Sequence, residues 1–230
     1  MGEGRAETIR YHQEFYQRHR LNEPGSWLHR PSPFVLRSVG AITAMGPLLV
    51  VDLGCGVGRH SIPVASALPS GSLVIGVDLL PIAATELMRN ACEAGVPDAI
   101  RAVVADIETF TIAPTRVALL IACSALEHVS SKSAMEQVLL SWQRVTRVGG
   151  VHCLVIGVDK YEVGLNGRTR PARVEFPLTQ VEAEAILRKC YSGWEWLEYA
   201  TDTFTVTEER GGTPYRLRSG CLQLLARRVG

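Results

Sequence analysis

Five short runs of this chain are apolar on both faces: residues 48–54 (LLVVDLG), 72–78 (SLVIGVD), 100–106 (IRAVVAD), 116–123 (RVALLIAC) and 151–159 (VHCLVIGVD). A strand that alternates apolar with polar covers one side of a sheet, whereas a strand apolar throughout is covered on both. Stretches of helical character lie among them at 59–68, 81–94 and 131–148. Pro63 and Pro81 fall in first turns, where a missing N–H costs little, while Gly95 and the pair Gly149 and Gly150 close helices. Strands and helices in this alternation imply parallel strands joined by right-handed crossovers, with helices on both faces. Ahead of them, residues 1–45 read as a helical cap: a polar helix over 5–20, a loop (NEPGSWLHRPSP), and a short helix from Phe34 to Ala44. The main domain is expected over 46–230. Past residue 160 come a polar Gly/Arg-rich loop, a helix from about Thr179 to Cys190, and a hairpin turning at Gly211 and Gly212.

Composition narrows the partners. A net charge of +1 over 230 residues gives nucleic acid or an anionic membrane nothing to attract. Arg168, Arg170 and Arg173, and Arg216 and Arg218, gather locally and read as solvated faces. The six cysteines form no CxxC and no zinc-like spacing with histidine, so no metal is expected. Several sit in apolar runs as small hydrophobes, which fits a reducing, cytoplasmic setting. The charged first twenty residues lack the apolar core of a signal peptide, and no run of 18 apolar residues exists to span a membrane.

The first strand runs into three alternate glycines, VDLGCGVGRH, with an aspartate just before them. A dinucleotide turn requires a small residue three positions after its second glycine, and Arg59 stands there instead. A phosphate-binding P-loop is excluded because no Gly-Lys-Ser/Thr follows. Two further acids close the next strands: Asp78 ends VIGVD and Asp106 ends RAVVAD. An acid at the position of Asp78 can accept both ribose hydroxyls; its alternative role is to cap the turn ahead of Pro81.

With its flanks, VVDLGCGVGRHSIPVA resembles motif I of the class I S-adenosylmethionine (AdoMet) dependent methyltransferases, and LLIACSALEHV resembles their motif IV. The resemblance implies a Rossmann-like, seven-stranded, mostly parallel α/β sheet with an antiparallel C-terminal hairpin. It implies AdoMet as cofactor and S-adenosylhomocysteine as product. Gly54, Cys55, Gly56 and Gly58 are then expected beside the methionine portion, with Asp52 complementing its ammonium or bracing the turn. Asp78 is expected on the ribose, Leu79 as an apolar wall, Asp106 and Ile107 at the adenine, and Cys123 and Ser124 along the methionine end. Arg30 is expected to reach the carboxylate.

The later chain, through VTRVGGVHCLVIGVD, FPLTQVEAEAILRKCYSGWEWLEY and RLRSGCLQLLARR, resembles the tellurite-resistance group of that superfamily. That group carries a basic pair in the C-terminal hairpin where this chain has Glu208 and Glu209, which disfavours an oxyanion substrate. The expected activity is methyl transfer by in-line displacement to a small-molecule or peptide-carboxylate acceptor. The alternatives are oxyanion methylation and an idle AdoMet-binding protein. Acceptors that lose a proton need a base, and His128 is the candidate; Tyr11, Trp27, His29, Arg168 and Arg170 are the candidate substrate contacts. Nucleic-acid methylation is not expected, since the fourth strand is followed by ACSA in place of an Asn/Asp-Pro-Pro-Tyr/Phe signature. Aromatic residues of the hairpin, taken as exposed, suggest a possible homodimer.

Overall fold

The computed structural model describes residues 3–42, 46–113 and 116–230. Helices α1 (Glu3–Arg18) and α2 (Pro33–Gly40) precede the sheet, and the expected helix end at Ala44 and domain boundary at 45 lie outside the described residues. Strands β1 (Leu49–Leu53), β2 (Leu73–Asp78) and β3 (Ile100–Val104) alternate with α3 (Ser61–Ala67) and α4 (Pro81–Glu93). Then follow β4 (Val117–Cys123), a single 3-10 turn (Leu126–His128), α5 (Lys132–Val145), β5 (Thr146–Val163) and β6 (Thr169–Pro171). The chain closes with α6 (Gln180–Cys190), β7 (Trp194–Arg210) and β8 (Thr213–Arg228).

The strand order is β3-β2-β1-β4-β5-β8-β7, parallel from β3 through β5 and antiparallel beyond. The chain builds outward from β1 in one direction and from β4 in the other, so the crevice between their C-terminal ends is the switch point where such sheets take ligands. Val51 and Leu53 of β1 face one core with Met135, Trp142 and Leu187, while Val50 faces the other with Phe34, Ile62 and Leu87. This two-sided burial is what the continuous apolar runs predict.

Three expectations change in detail. The helix expected over 131–148 stops at Val145, because Thr146 already pairs with Val117 and its hydroxyl donates to the Trp142 carbonyl at 2.7 Å. The fifth strand, expected over 151–159, extends to Val163 past an irregularity after Val158, where Asp159 holds φ 49°. The supposed loop then folds back as β6, an eighth strand pairing Thr169 with Val163. Its three exposed residues carry no apolar pattern, so the sequence offers no strand signal there. The hairpin aromatics are not exposed: Tyr215 is buried, Phe204 lines a cavity, and Trp196 and Tyr199 pack on the core. The surface argument for a dimer therefore falls away.

Candidate active site

The switch-point crevice opens into a cavity of about 530 Å³. At one end lies the turn after β1, with Gly54 at φ 70° and Gly56 at φ 52°, a region that side chains strain to enter. Space forbids them as well. A Cβ on Gly54 would stand 2.6 Å from the Ala125 Cβ, and one on Gly56 2.7 Å from the Tyr16 hydroxyl. The amides of this turn are spent inward: Gly54 and Cys55 donate to the Val77 carbonyl, Gly56 to Asp78 Oδ2 at 2.9 Å, and Gly58 to the Cys55 carbonyl. A pyrophosphate would need those donors. A ligand presenting an ammonium does not.

Asp78 accepts from Gly56 and Leu80, one amide per oxygen, and burial raises its pKa against those hydrogen bonds. Both of the roles expected of it from sequence, cap and cavity acid, are thus compatible with its position. Leu79 is a partly exposed apolar wall of the same cavity, and Asp106, Ile107, Cys123 and Ser124 line it too. Ser124 sits at φ 55° with its amide on the Val155 carbonyl, a strained placement at the end of β4. Tyr11 and Trp27 complete the expected lining from the N-terminal segment.

Several expected contacts are elsewhere. Asp52 is buried below the turn and accepts from the Ser61 hydroxyl at 2.6 Å, so it anchors α3 and does not reach the cavity. Gly58 faces Leu87 and Ile62 in the core. His29 and Arg30 do not line the cavity: the turns of this loop bury Leu28 and leave Arg30 exposed. Arg168 and Arg170 line a separate outer cleft of about 660 Å³, where Arg170 is held by Glu162 at 2.6 Å. Arg59, which the sequence marks only as a misfit to a dinucleotide turn, lines the cavity beside the glycine turn. It donates to the Trp27 carbonyl at 2.9 Å and its guanidinium lies 5.3 Å from the Trp27 ring centroid.

At the other end of the cavity His128 Nδ1 lies 3.2 Å from Glu175 Oε2. Burial works to raise the Glu175 pKa, but the hydrogen bond and charge of His128 outweigh it and hold the group below its ordinary value. The carboxylate can only accept, so Nδ1 is the ring nitrogen that carries a proton toward it, and Nε2 is the other ring nitrogen. Glu175 comes from the segment after β6, 47 residues from His128, and no local pattern announces it. His12 of α1 faces His128 with ring centroids 5.8 Å apart; burial, with His128 nearby, lowers its pKa to about 4. Glu208 lines this end and accepts from Tyr215 at 2.5 Å, whereas Glu209 is exposed.

Residues 50–150 match a family described as a methyltransferase domain. The matched segment, from β1 to the start of β5, belongs to that methyltransferase domain family. No curated protein matches it in sequence. Among solved structures, the chain is similar to TehB from Haemophilus influenzae, at 20% identity and TM-score 0.63 over 84% of this chain. The match spans 61% of TehB's own length. It is also similar to geranyl diphosphate methyltransferase solved with S-adenosylmethionine, at 18% identity and TM-score 0.61 over 91% of this chain and 94% of that one. The [4+2]-cyclase SpnF, at 16% identity and TM-score 0.64 over 90% and 85% of the two chains, has the same fold. These likenesses speak for architecture alone, and what separates methyl transfer from other uses of it lies in side chains. Among the described residues, no helix is long and apolar enough to cross a membrane.

Proposed function

We propose that this chain is an S-adenosylmethionine (AdoMet) dependent methyltransferase acting on a small-molecule acceptor whose nucleophilic atom gives up a proton, with His128 as the base and Glu175 as its positioning residue. The observation carrying this reading is the His128–Glu175 pair, in the cavity that also holds the glycine turn.

The turn suits AdoMet because it is bare of side chains and its amides are already satisfied. In this reading Gly54, Cys55 and Gly56 lie along the methionine portion, and Arg59 takes the part first given to Arg30 at the carboxylate. Asp78 has a second lone pair on each oxygen for the ribose hydroxyls. Leu79, Asp106 and Ile107 form the adenine end, and Cys123 and Ser124 border the sulfur side. Bound AdoMet supplies a methyl group already activated on a sulfonium. The chain's own work is alignment, exclusion of water and removal of one proton. Residues 3–18 serve as the lid: Tyr16 stands over Gly56, and Arg5 bridges Asp106 and Glu108. His128 Nε2 takes the acceptor's proton, and Glu175 holds the ring in the tautomer that can do so. Oxyanion methylation is disfavoured by Glu208 at the acceptor end, since a carboxylate there repels an anion.

The test pairs binding with turnover. Calorimetric titration of AdoMet, S-adenosylhomocysteine and NAD is expected to show the two adenosyl ligands binding and NAD silent, with binding lost in Asp78→Ala. Against an acceptor panel, His128→Asn is expected to lower kcat by about 10²–10⁴ with unchanged AdoMet affinity. Full activity in His128→Asn would remove the base from the reading. AdoMet binding without S-adenosylhomocysteine formation on any acceptor would favour an idle binder or a chemistry such as that of the cyclase.

A further inference from the structure

Glu127, next to the proposed base, is buried to 4% exposure and lines the same cavity. Its Oε1 is occupied by the Gly157 amide at 3.0 Å and by Lys160 Nζ at 3.3 Å. Its Oε2 is buried and has no hydrogen-bond partner among the described residues. Glu175 repeats the pattern: Oε2 meets His128, while Oε1 is buried and unpartnered, on a side chain 3% exposed. A carboxylate oxygen out of water and without a donor is costly, and such groups are retained where a ligand completes them.

The backbone has been cleared to hold Glu127 there. A Cβ on Gly157 would stand 2.6 Å from Glu127 Oε1 and 2.6 Å from Lys160 Cε. Glycine inside a strand weakens it and marks a close approach, and here the approaching groups are the two charged side chains. The remaining charges around this end do not supply the missing donor. Arg210 is divided between Glu7 at 2.6 Å and Glu162 at 2.8 Å, and Arg170 is also on Glu162. Arg173 is exposed at the rim, and His12 donates through Nδ1 to the Thr8 carbonyl. Glu127, Glu175 and Glu208 thus face the cavity with Lys160 as the cation among them.

We infer that this end recognises an acceptor bearing a protonated amine, with its N–H donors directed at Glu127 Oε2. The inference rests on the acceptor reading above and adds a substrate class to it. The ammonium is a handle separate from the methylated atom, since a protonated nitrogen has no lone pair to offer a sulfonium. The excess of carboxylates repels carboxylate and phosphate acceptors from the same position.

The experiment is calorimetry on protein saturated with S-adenosylhomocysteine, using three matched probes: 2-phenylethylamine, 2-phenylethanol and phenylacetate. The amine is expected to bind about tenfold or more tighter than either of the others, as a charge-assisted hydrogen bond in a buried site should provide. In Glu127→Gln that preference is expected to collapse while S-adenosylhomocysteine affinity holds, which also reports that the variant is folded. Lys160→Met acts in the opposite sense: without its competing ammonium, the amine is expected to bind tighter. Equal or better binding of phenylacetate or the alcohol, no binding by any probe, or an undiminished amine preference in a folded Glu127→Gln would each overturn the inference. So would weaker amine binding in Lys160→Met. If S-adenosylhomocysteine itself fails to bind, the cofactor assignment fails, and the amine arm run on the protein alone still reads Glu127.

Discussion

Replacing Asp52 by asparagine should make the protein more stable, and increasingly so as pH rises. Asp52 is 1% exposed, and burial pushes its carboxyl from 3.8 to about 7, against the lowering effect of the Ser61 hydrogen bond. In the unfolded chain it ionises near its ordinary value. Between those two values the native state holds a proton that the unfolded state has released, so this group's contribution to stability falls as pH rises through the window. At about 1.4 kcal/mol per pH unit, the whole window costs on the order of 4 kcal/mol, and the stretch from pH 5 to 7, where the slope is already falling, about 2. Asp52→Asn keeps the shape and an oxygen for Ser61 but cannot ionise. Urea denaturation of both proteins from pH 5 to 8 should show the variant gaining about 2 kcal/mol on the parent between pH 5 and 7, then levelling. Groups that titrate in both proteins cancel in the difference. Parallel stability curves would refute the reasoning, because they would mean that Asp52 ionises alike in both states.

Gly56→Ala should weaken S-adenosylhomocysteine binding and lower stability by about 1–3 kcal/mol, since φ 52° and the Tyr16 hydroxyl both oppose a methyl group; calorimetry and thermal melts would read the two effects. Tyr191→Phe should cost about 1–3 kcal/mol, because the hydroxyl lies 2.6 Å from buried His152 Nδ1, which is then left unpaired; urea melts test this, and no loss would mean that the ring repacks. Arg210→Met severs α1 from Glu162 and should speed amide hydrogen exchange along α1 while β1 and β4 stay protected. Unchanged exchange in α1 would show that its apolar contacts alone hold it down.

On the proposed reading, the cofactor half of the cavity was legible in sequence because it is local. Strands β1, β2 and β4 announce themselves by apolar runs buried on both faces, β3 at the sheet edge less so, and Gly54, Gly56, Asp78 and Asp106 stand at or just beyond strand ends, where the parallel sheet brings them to one edge. Asp52 and Gly58 belong to the same motif but point into the core, a distinction made by the rotation of the turn and not by its spacing. The acceptor half was less legible because its parts come together only in three dimensions. His128 was readable from the motif around it. Lys160 sits at the irregularity in β5, Glu175 lies in the segment after β6, and Tyr215 sits near the start of β8, so only the folded sheet brings them to one cavity. Arg59 was visible as a mismatch to a dinucleotide turn, but that spacing does not tell that its side chain reaches the cavity, which depends on Trp27 of the N-terminal loop.

Helix α1 lies across both ends of the cavity, with Arg5 on Asp106 and Glu108, Tyr16 over the glycine turn and Glu7 on Arg210. On the proposed reading one roof covers two occupants, so they enter in a set order or together, and neither leaves until the roof lifts. Turnover is then paced by departure and not by the bond-making step. The tethers are ionic and partly exposed, so added salt should shorten each cycle up to the concentration at which the roof no longer keeps water out.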